Sequence, residues 1–376
     1  MKKQFLLGST ALMVAVLPAY AAAEEPLRLS VGGYRNDFFG IGSIDDDTEA
    51  AQGIDRGNSS HFSDGEVHFT GETTLNNGIT VGVFVSLEAF NSGDQVDEAY
   101  TYLNSDYGRL TIGSENFDNY SEFWIGTAPT VGTPINSGWI TAFVPAPSGA
   151  NTGFLTPALT TNVELRDDNF MLSYRSPDFA GFAFSVSYAP TSAGGSDPGD
   201  PKNAPTDKNA ENHNIIGLGL TYIQTFNGVD VNVAAGYNRA TVGKTAEAAG
   251  ADDPQQIKIG ATIGFSGFTI GGSYANEFEG QTDAGNTTST EGQAWDAGIS
   301  YSTGPWGFSL TYFHGEVEDT IAVSGDDEVD AFTGAVSFAV GPGITASLTL
   351  MHAKWDEEAN VESKGTLGIA GLGVSF

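Results

Sequence analysis

The sequence predicts an all-β protein in which sixteen antiparallel strands close into a transmembrane barrel. Three observations predict it. Long stretches alternate apolar and polar at period two. The connectors between them alternate between short turns and long loops. No segment reaches the ~18 consecutive apolar residues that a membrane-spanning helix needs.

The alternation is clearest in three places. Val229, Val231, Val233, Ala235 and Tyr237 are separated by Asp230, Asn232, Ala234 and Gly236. Ile257, Ile259, Ala261, Ile263 and Phe265 alternate with Lys258, Gly260, Thr262 and Gly264. Phe182, Phe184, Val186 and Tyr188 alternate with Ala183, Ser185 and Ser187. Successive strand side chains point to opposite faces, so each stretch has one apolar face and one polar or small face.

The short connectors carry turn chemistry: Asn76-Asn77-Gly78, Ser105 to Gly108, Ser176-Pro177-Asp178, Asn227-Gly228, Ser266-Gly267, Thr303-Gly304-Pro305 and Gly341-Pro342-Gly343. The long ones are polar and acidic, beginning with Arg35 to Asp64 and ending with Lys354 to Gly365. Seven short turns join fourteen strands, and one strand at each terminus, Leu27 to Tyr34 and Thr366 to Phe376, makes sixteen. Pairing the two terminal strands removes the exposed edges. Turns at one end and loops at the other are the layout of a membrane barrel.

The apolar face faces lipid. It ends in Tyr188, Tyr237, Tyr274 and Tyr312 toward the loops, and in Phe182, Phe265, Phe268, Phe308 and Phe338 toward the turns. Two aromatic belts suit two membrane interfaces. A strand as long as Val229 to Tyr237 rises about 26 Å, or about 20 Å of height when tilted ~40°, near the ~25 Å apolar band of such barrels. The other face carries Glu66, His68, Thr70 and Glu72 on one strand. Such groups line water rather than a dry core, and sixteen strands leave room for an aqueous channel.

One connector stands apart. Residues 116–168 form a loop far longer than compact folds use, and it carries Phe123, Trp124, Ile125, Trp139, Ile140, Phe143, Val144 and Phe154. It is expected to fold inward, pack on the wall and narrow the lumen. It brings Asp118 and Glu122 into the gap, while Arg28, Arg109 and Arg175 face inward from strands. Acids on one side and guanidinium groups on the other would set a transverse field at this constriction.

The chain begins as an exported protein. Lys2 and Lys3 precede an apolar stretch from Phe5 to Leu17, then small residues with Ala-x-Ala sites ending at Ala21 and Ala23. Residues 1–23 are therefore read as a signal peptide, cleaved after Ala21 or Ala23, and 24–376 as a single barrel domain. Without Lys2 and Lys3 the chain keeps 13 basic against 47 acidic residues, a net charge of −34. That balance excludes a general nucleic-acid binder. There is no cysteine, so no disulfide holds the exported chain.

Other chemistry finds little support. No histidine pair has metal-site spacing, no nucleophile motif is recognisable, and no enzyme activity or cofactor is expected. Asp45-Asp46-Asp47 and Asp326-Asp327-Glu328 could hold Ca²⁺, a hard cation that takes oxygen ligands. Neither matches an EF-hand, and a solvated acidic loop is the simpler reading of each.

The chain resembles the Gram-negative general porins over nearly all of its length. Asp97 to Leu103 with Tyr107 to Gly113 is similar to the fourth and fifth porin strands, and Asn169 to Pro190 to the sixth and seventh. The last strand ends on Phe376 with Val374 and Leu372 at alternate positions, like proteins handed to the barrel-assembly machinery. Glu122-Phe123 looks like the acidic-aromatic pair of porin eyelet loops, although Trp124-Ile125-Gly126 replaces the Gly-Gly that often follows. The family's basic cluster is thinly matched, and Arg109 and Arg175 are the candidates for it. The resemblance implies an outer-membrane homotrimer for passive diffusion of small hydrophilic solutes and ions. The acidic balance adds an expected preference for cations. Loop acids could also bind divalent ions that bridge lipopolysaccharide. Two other functions fit a barrel. One is a substrate-specific channel, for which Tyr100 and Tyr102 are the start of an aromatic track without visible extension. The other is an adhesin or receptor on a plugged scaffold.

Overall fold

Asn227 and Gly228 adopt φ of 51° and 84°, and Ser266 and Gly267 adopt 51° and 87°. These paired positive values are those of a type I′ turn, whose twist matches the flanking strands. Local chemistry thus sets two of the hairpins. The computed structural model describes residues 10–13, 26–46, 57–89, 95–192, 207–209 and 212–376, apart from 148, 154, 167, 169, 284, 286, 359 and 360. Asp47 and Phe154 lie outside the described residues, as does most of the expected signal peptide.

Sixteen antiparallel strands form the barrel. They are β1 (Arg28–Asp46), β2 (Ser59–Thr74), β3 (Thr80–Glu88), β4 (Ala99–Ser105), β5 (Gly108–Ser114), β6 (Phe170–Arg175), β7 (Phe182–Thr191) and β8 (His213–Phe226). There follow β9 (Val229–Thr241), β10 (Gln255–Phe265), β11 (Phe268–Glu279), β12 (Gly292–Thr303), β13 (Trp306–Val317), β14 (Asp327–Gly341), β15 (Ile344–Glu357) and β16 (Val361–Ser375). Each pairs with its sequence neighbour, and β16 pairs with β1 from Ser363↔Asp46 to Ser375↔Tyr34. Gly33 and Phe376 exchange both backbone hydrogen bonds at 3.0 Å, which completes the seam. A four-residue strand, Thr10–Met13, also pairs with Arg28–Val31.

The first and last strands are longer than expected. Residues 35–46 and 59–64, read as loop, are ladder, because β16 and β2 give the Gly- and Asp-rich end of β1 partners on both sides.

The outward face is apolar as the alternation demands. Val186, Ile259, Ile263, Leu310 and Leu348 are exposed on it. Toward the loops, Tyr237 donates to Gln255, Tyr274 to Gln293, and Tyr312 to Asp330. Rings against the apolar band with bonded hydroxyls suit an interface.

The inward face is divided. On β13 to β16 it is apolar: Phe313, Val329, Met351, Trp355 and Leu367 are fully buried against Ile135, Ile140, Phe143, Val144 and Leu159 of the third loop. Each such side chain contributes roughly 1.5–3 kcal/mol on burial, enough together to hold the loop inside the barrel. The expectation that small polar residues of the inner face meet water fails beneath this loop. Ser185 is 2% exposed and Thr262 8%.

Candidate functional site

The third loop leaves β5 at Ser114 and turns inward through α1 (Asp118–Ser121). Phe117, just before α1, packs with Leu165, Met171, Ala189, Ile215 and Ala240. Asn119 then donates to Asn238 Oδ1 at 2.7 Å and to the Leu218 carbonyl at 3.0 Å, reaching β8 and β9. Gly126 passes over Gly260 of β10, where an added Cβ on Gly126 would lie 2.2 Å from the Gly260 carbonyl carbon. Two glycines meet because the backbones themselves touch.

Further on, Asp296 of β12 is the main fastening. It accepts from the Ala128 amide at 3.0 Å, Asn136 Nδ2 at 2.6 Å, and the Ser273 amide and hydroxyl at 2.6 and 2.7 Å. The Thr133 amide donates to Thr349 on β15. The loop crosses to β1 and β2 through α2 (Trp139–Phe143), where Trp139 packs on Phe38 and Phe62. On the way back Trp355 Nε1 donates to the Val144 carbonyl at 3.1 Å. Lys258 donates to Asn162 Oδ1 at 2.7 Å and the Val163 carbonyl at 3.1 Å, with the Tyr120 and Trp124 rings each 5.3 Å from its ammonium. Glu164 and Arg166, both fully buried, pair at 3.3 Å, and Glu164 also accepts from the Phe117 amide.

These contacts run round the wall from β5 to β16 and over the outer parts of β1 and β2. Three of the five charges expected at the constriction come together. Glu122, directly after α1, faces Arg175 at 2.5 Å and Arg109 at 3.9 Å. The two arginines are neighbours across the β5–β6 ladder, so all three form one cluster rather than opposed banks. Asp118 stands apart from them. It is 7% exposed and accepts from the Ser173 hydroxyl at 2.5 Å, against the wall. Burial raises its carboxyl pKa. Arg28 lies at the turn end of β1, across from Glu72.

Sequence reasoning missed a second group. Glu66, Asp97 and Glu98 place ligand oxygens within 4.8 Å of one another, and Glu98, Glu115 and Asp168 do the same. Burial first, and then neighbouring carboxylates, push Glu98 up to about 9 and Glu115 up to about 8. Only the ladder brings these acids together, since Asp168 ends the loop and Glu66 lies on β2.

The acid runs singled out for Ca²⁺ lie elsewhere. Asp45 is on the outward side of β1, 3.9 Å from Lys364. Asp46 ends β1. Asp327 accepts the Asn151 and Glu358 amides at 2.5 and 3.0 Å, tying loops together. Asp326 borders a 350 Å³ acidic hollow with Glu291, Glu316 and Glu318, while Glu328 sits on the ladder opposite Asp356.

A closed barrel with a lipid-facing apolar surface and a polar gap left by an inward loop defines a membrane channel. The chain belongs to the Gram-negative porin family, whose pattern matches residues 8–357. It is an outer-membrane porin. Solved structures share the fold. The anion-selective porin from Comamonas acidovorans is 16% identical, covering 93% of this chain and 100% of that one, with a TM-score of 0.58. Salmonella typhi OmpF in complex with daunomycin is 14% identical, covering 93% and 98%, at 0.60. OmpT of Vibrio cholerae is 12% identical, covering 96% and 100%, at 0.57. No curated protein matches.

Proposed function

We propose that this porin passes small hydrophilic solutes and ions by passive diffusion and prefers cations. The observation that carries the reading is the uneven charge of the open wall. Arg109 and Arg175 both converge on one carboxylate, Glu122, while Glu66, Asp97 and Asp168 carry the charge of two linked acid groups, whose other members, Glu98 and Glu115, are held protonated at neutral pH by burial. A net charge of −32 adds a cation-concentrating field at the mouth. The test is the reversal potential across a planar bilayer in a salt gradient, with sugar uptake into liposomes. Anion selectivity would sink the preference. A silent bilayer would favour the plugged-receptor alternative.

The channel is read as a homotrimer associating through β16, β1 and β2. Their outward face carries the Arg35–Asp37 ion pair, with Ser63 donating to Asp37 at 2.7 Å, beside Phe39 and Ala370. A charged pair is costly against lipid and cheaper against protein. The chain has no cysteine, so Ala370→Cys offers a clean crosslinking probe. Phe376, paired with Gly33 at the seam, is the proposed signal to the assembly machinery, and the acidic rim the proposed site for ion-bridged lipopolysaccharide.

A further inference from the structure

The part of the wall that the loop leaves open carries a row of rings. Tyr34 on β1 contacts His68 on β2 with centroids 6.1 Å apart. His68 contacts Phe84 on β3 at 5.3 Å, and Phe84 stacks on Tyr100 of β4 at 5.0 Å and 22°. Tyr102 follows at 6.4 Å. All five are half-buried. The aromatic track that the sequence limited to Tyr100 and Tyr102 therefore crosses four strands.

Carboxylates fix the row and give it a sign. Glu66 accepts from the Tyr34 hydroxyl at 2.7 Å, from Ser86 at 2.8 Å, and lies 2.7 Å from His68 Nε2. Glu72 accepts from the Tyr102 hydroxyl at 2.8 Å. Asp97 and Glu98 stand beside Glu66 at the loop end. The turn end already holds an organic cation. The Arg109 guanidinium lies 4.4 Å over the Tyr102 ring and 5.7 Å from Tyr100, and Glu122 offsets its charge. A ring face attracts a cation through its quadrupole, and does so more strongly where water is scarce.

We propose that the stretch from Tyr34 to Tyr100 is a binding track for solutes bearing an alkylammonium or guanidinium group. Such a solute enters at Glu66 and Asp97, and lays its apolar part along Phe84 and Tyr100. The proposal rests on the cation-preferring reading above and names the solute class. A neutral sugar also stacks on rings and its hydroxyls donate to carboxylates, but it lacks the positive charge that these rings and acids together attract.

The test uses the purified channel in planar bilayers, with n-butylammonium and guanidinium chloride as probes and maltotriose as the neutral comparison. Butylammonium should interrupt the current at concentrations where maltotriose does not. The Phe84→Leu/Tyr100→Leu variant, checked for heat-modifiable oligomers, should need about tenfold more butylammonium for half-block. If the double variant fails to assemble, Phe84→Leu alone removes the ring between His68 and Tyr100 and gives the same comparison. Unchanged block, or stronger block by maltotriose, would overturn the proposal. The wild-type reversal potential in KCl separates the two readings. Anion selectivity with ring-dependent block defeats the preference and keeps the track; cation selectivity with ring-independent block does the reverse.

Discussion

Arg175 Nη1 lies 2.5 Å from Glu122 Oε2, joining the end of β6 to the inward loop. Both side chains are partly exposed, at 35% and 44%. An ion pair this open to water contributes roughly 0–1 kcal/mol, so its weight is in the field of the pore rather than in stability. Glu122→Gln would leave Arg109 and Arg175 without their shared counter-charge. Cation preference should fall about twofold at 0.1 M salt and less at 1 M, where screening lengths shrink from about 10 to 3 Å. Arg175→Gln should shift the reversal potential the other way. Equal reversal potentials in all three proteins would remove Glu122 from the constriction.

Gly260 should not tolerate a side chain. Its Cβ would sit 2.8 Å from the backbone of Gly126, and the loop at that point is pinned between α1 and the Asp296 fastening. Gly260→Val should push the loop off the wall into the opening. Single-channel conductance should drop while the barrel still assembles, and the oligomer should dissociate at a lower temperature. Overpacking of this kind typically costs about 1–3 kcal/mol. Wild-type conductance in this variant would mean that the two backbones do not touch.

Ile259 and Thr262 are on opposite faces of β10, 53% and 8% exposed. Ile259→Arg should cost about 2–4 kcal/mol in the bilayer, read as reduced folding yield in lipid vesicles. Thr262→Arg should also be harmful, because Thr262 is buried and accepts from Asn232 at 3.0 Å. Its effect should appear in conductance as well as in folding. Tolerance at Ile259 together with harm at Thr262 would invert the register of this strand.

The barrel was legible in the sequence because lipid and water select opposite residues at every step of a strand. Asn227-Gly228 and Ser266-Gly267 marked hairpins for the same local reason. The path of the loop was not legible. Its fastenings join residues distant in sequence, 95 positions for Lys258 with Val163 and 216 for Thr349 with Thr133. Small polar residues such as Ser185 suit water and the underside of a loop equally well, and composition cannot separate the two. Asp118 looked like a pore acid from its position in the loop, yet Ser173 takes its carboxylate. The aromatic row escaped notice because Tyr34, His68 and Phe84 each lie on a different strand. Only the register aligns them.

The remaining prediction concerns pH. A carboxyl is neutral below its pKa and anionic above it. Burial and like-charge neighbours raise Glu98 to about 9 and Glu115 to about 8. Their charges therefore appear as pH climbs through roughly 7 to 10, well above the ordinary carboxylate range near 4.3. In that interval the open wall gains negative charge beside Glu66, Asp97 and Asp168, and cation preference should increase about twofold at 0.1 M salt. Stability should move oppositely. Between the unfolded and folded pKa values the folded chain binds more protons, so it loses stability as pH rises. Reversal potentials at pH 6, 8 and 10 should change in the wild type and stay flat in Glu98→Gln/Glu115→Gln. The temperature at which the wild-type oligomer dissociates should fall across the same steps. A transition centred near pH 4 to 5, or one that survives in the double variant, would assign the effect to ordinary exposed loop acids.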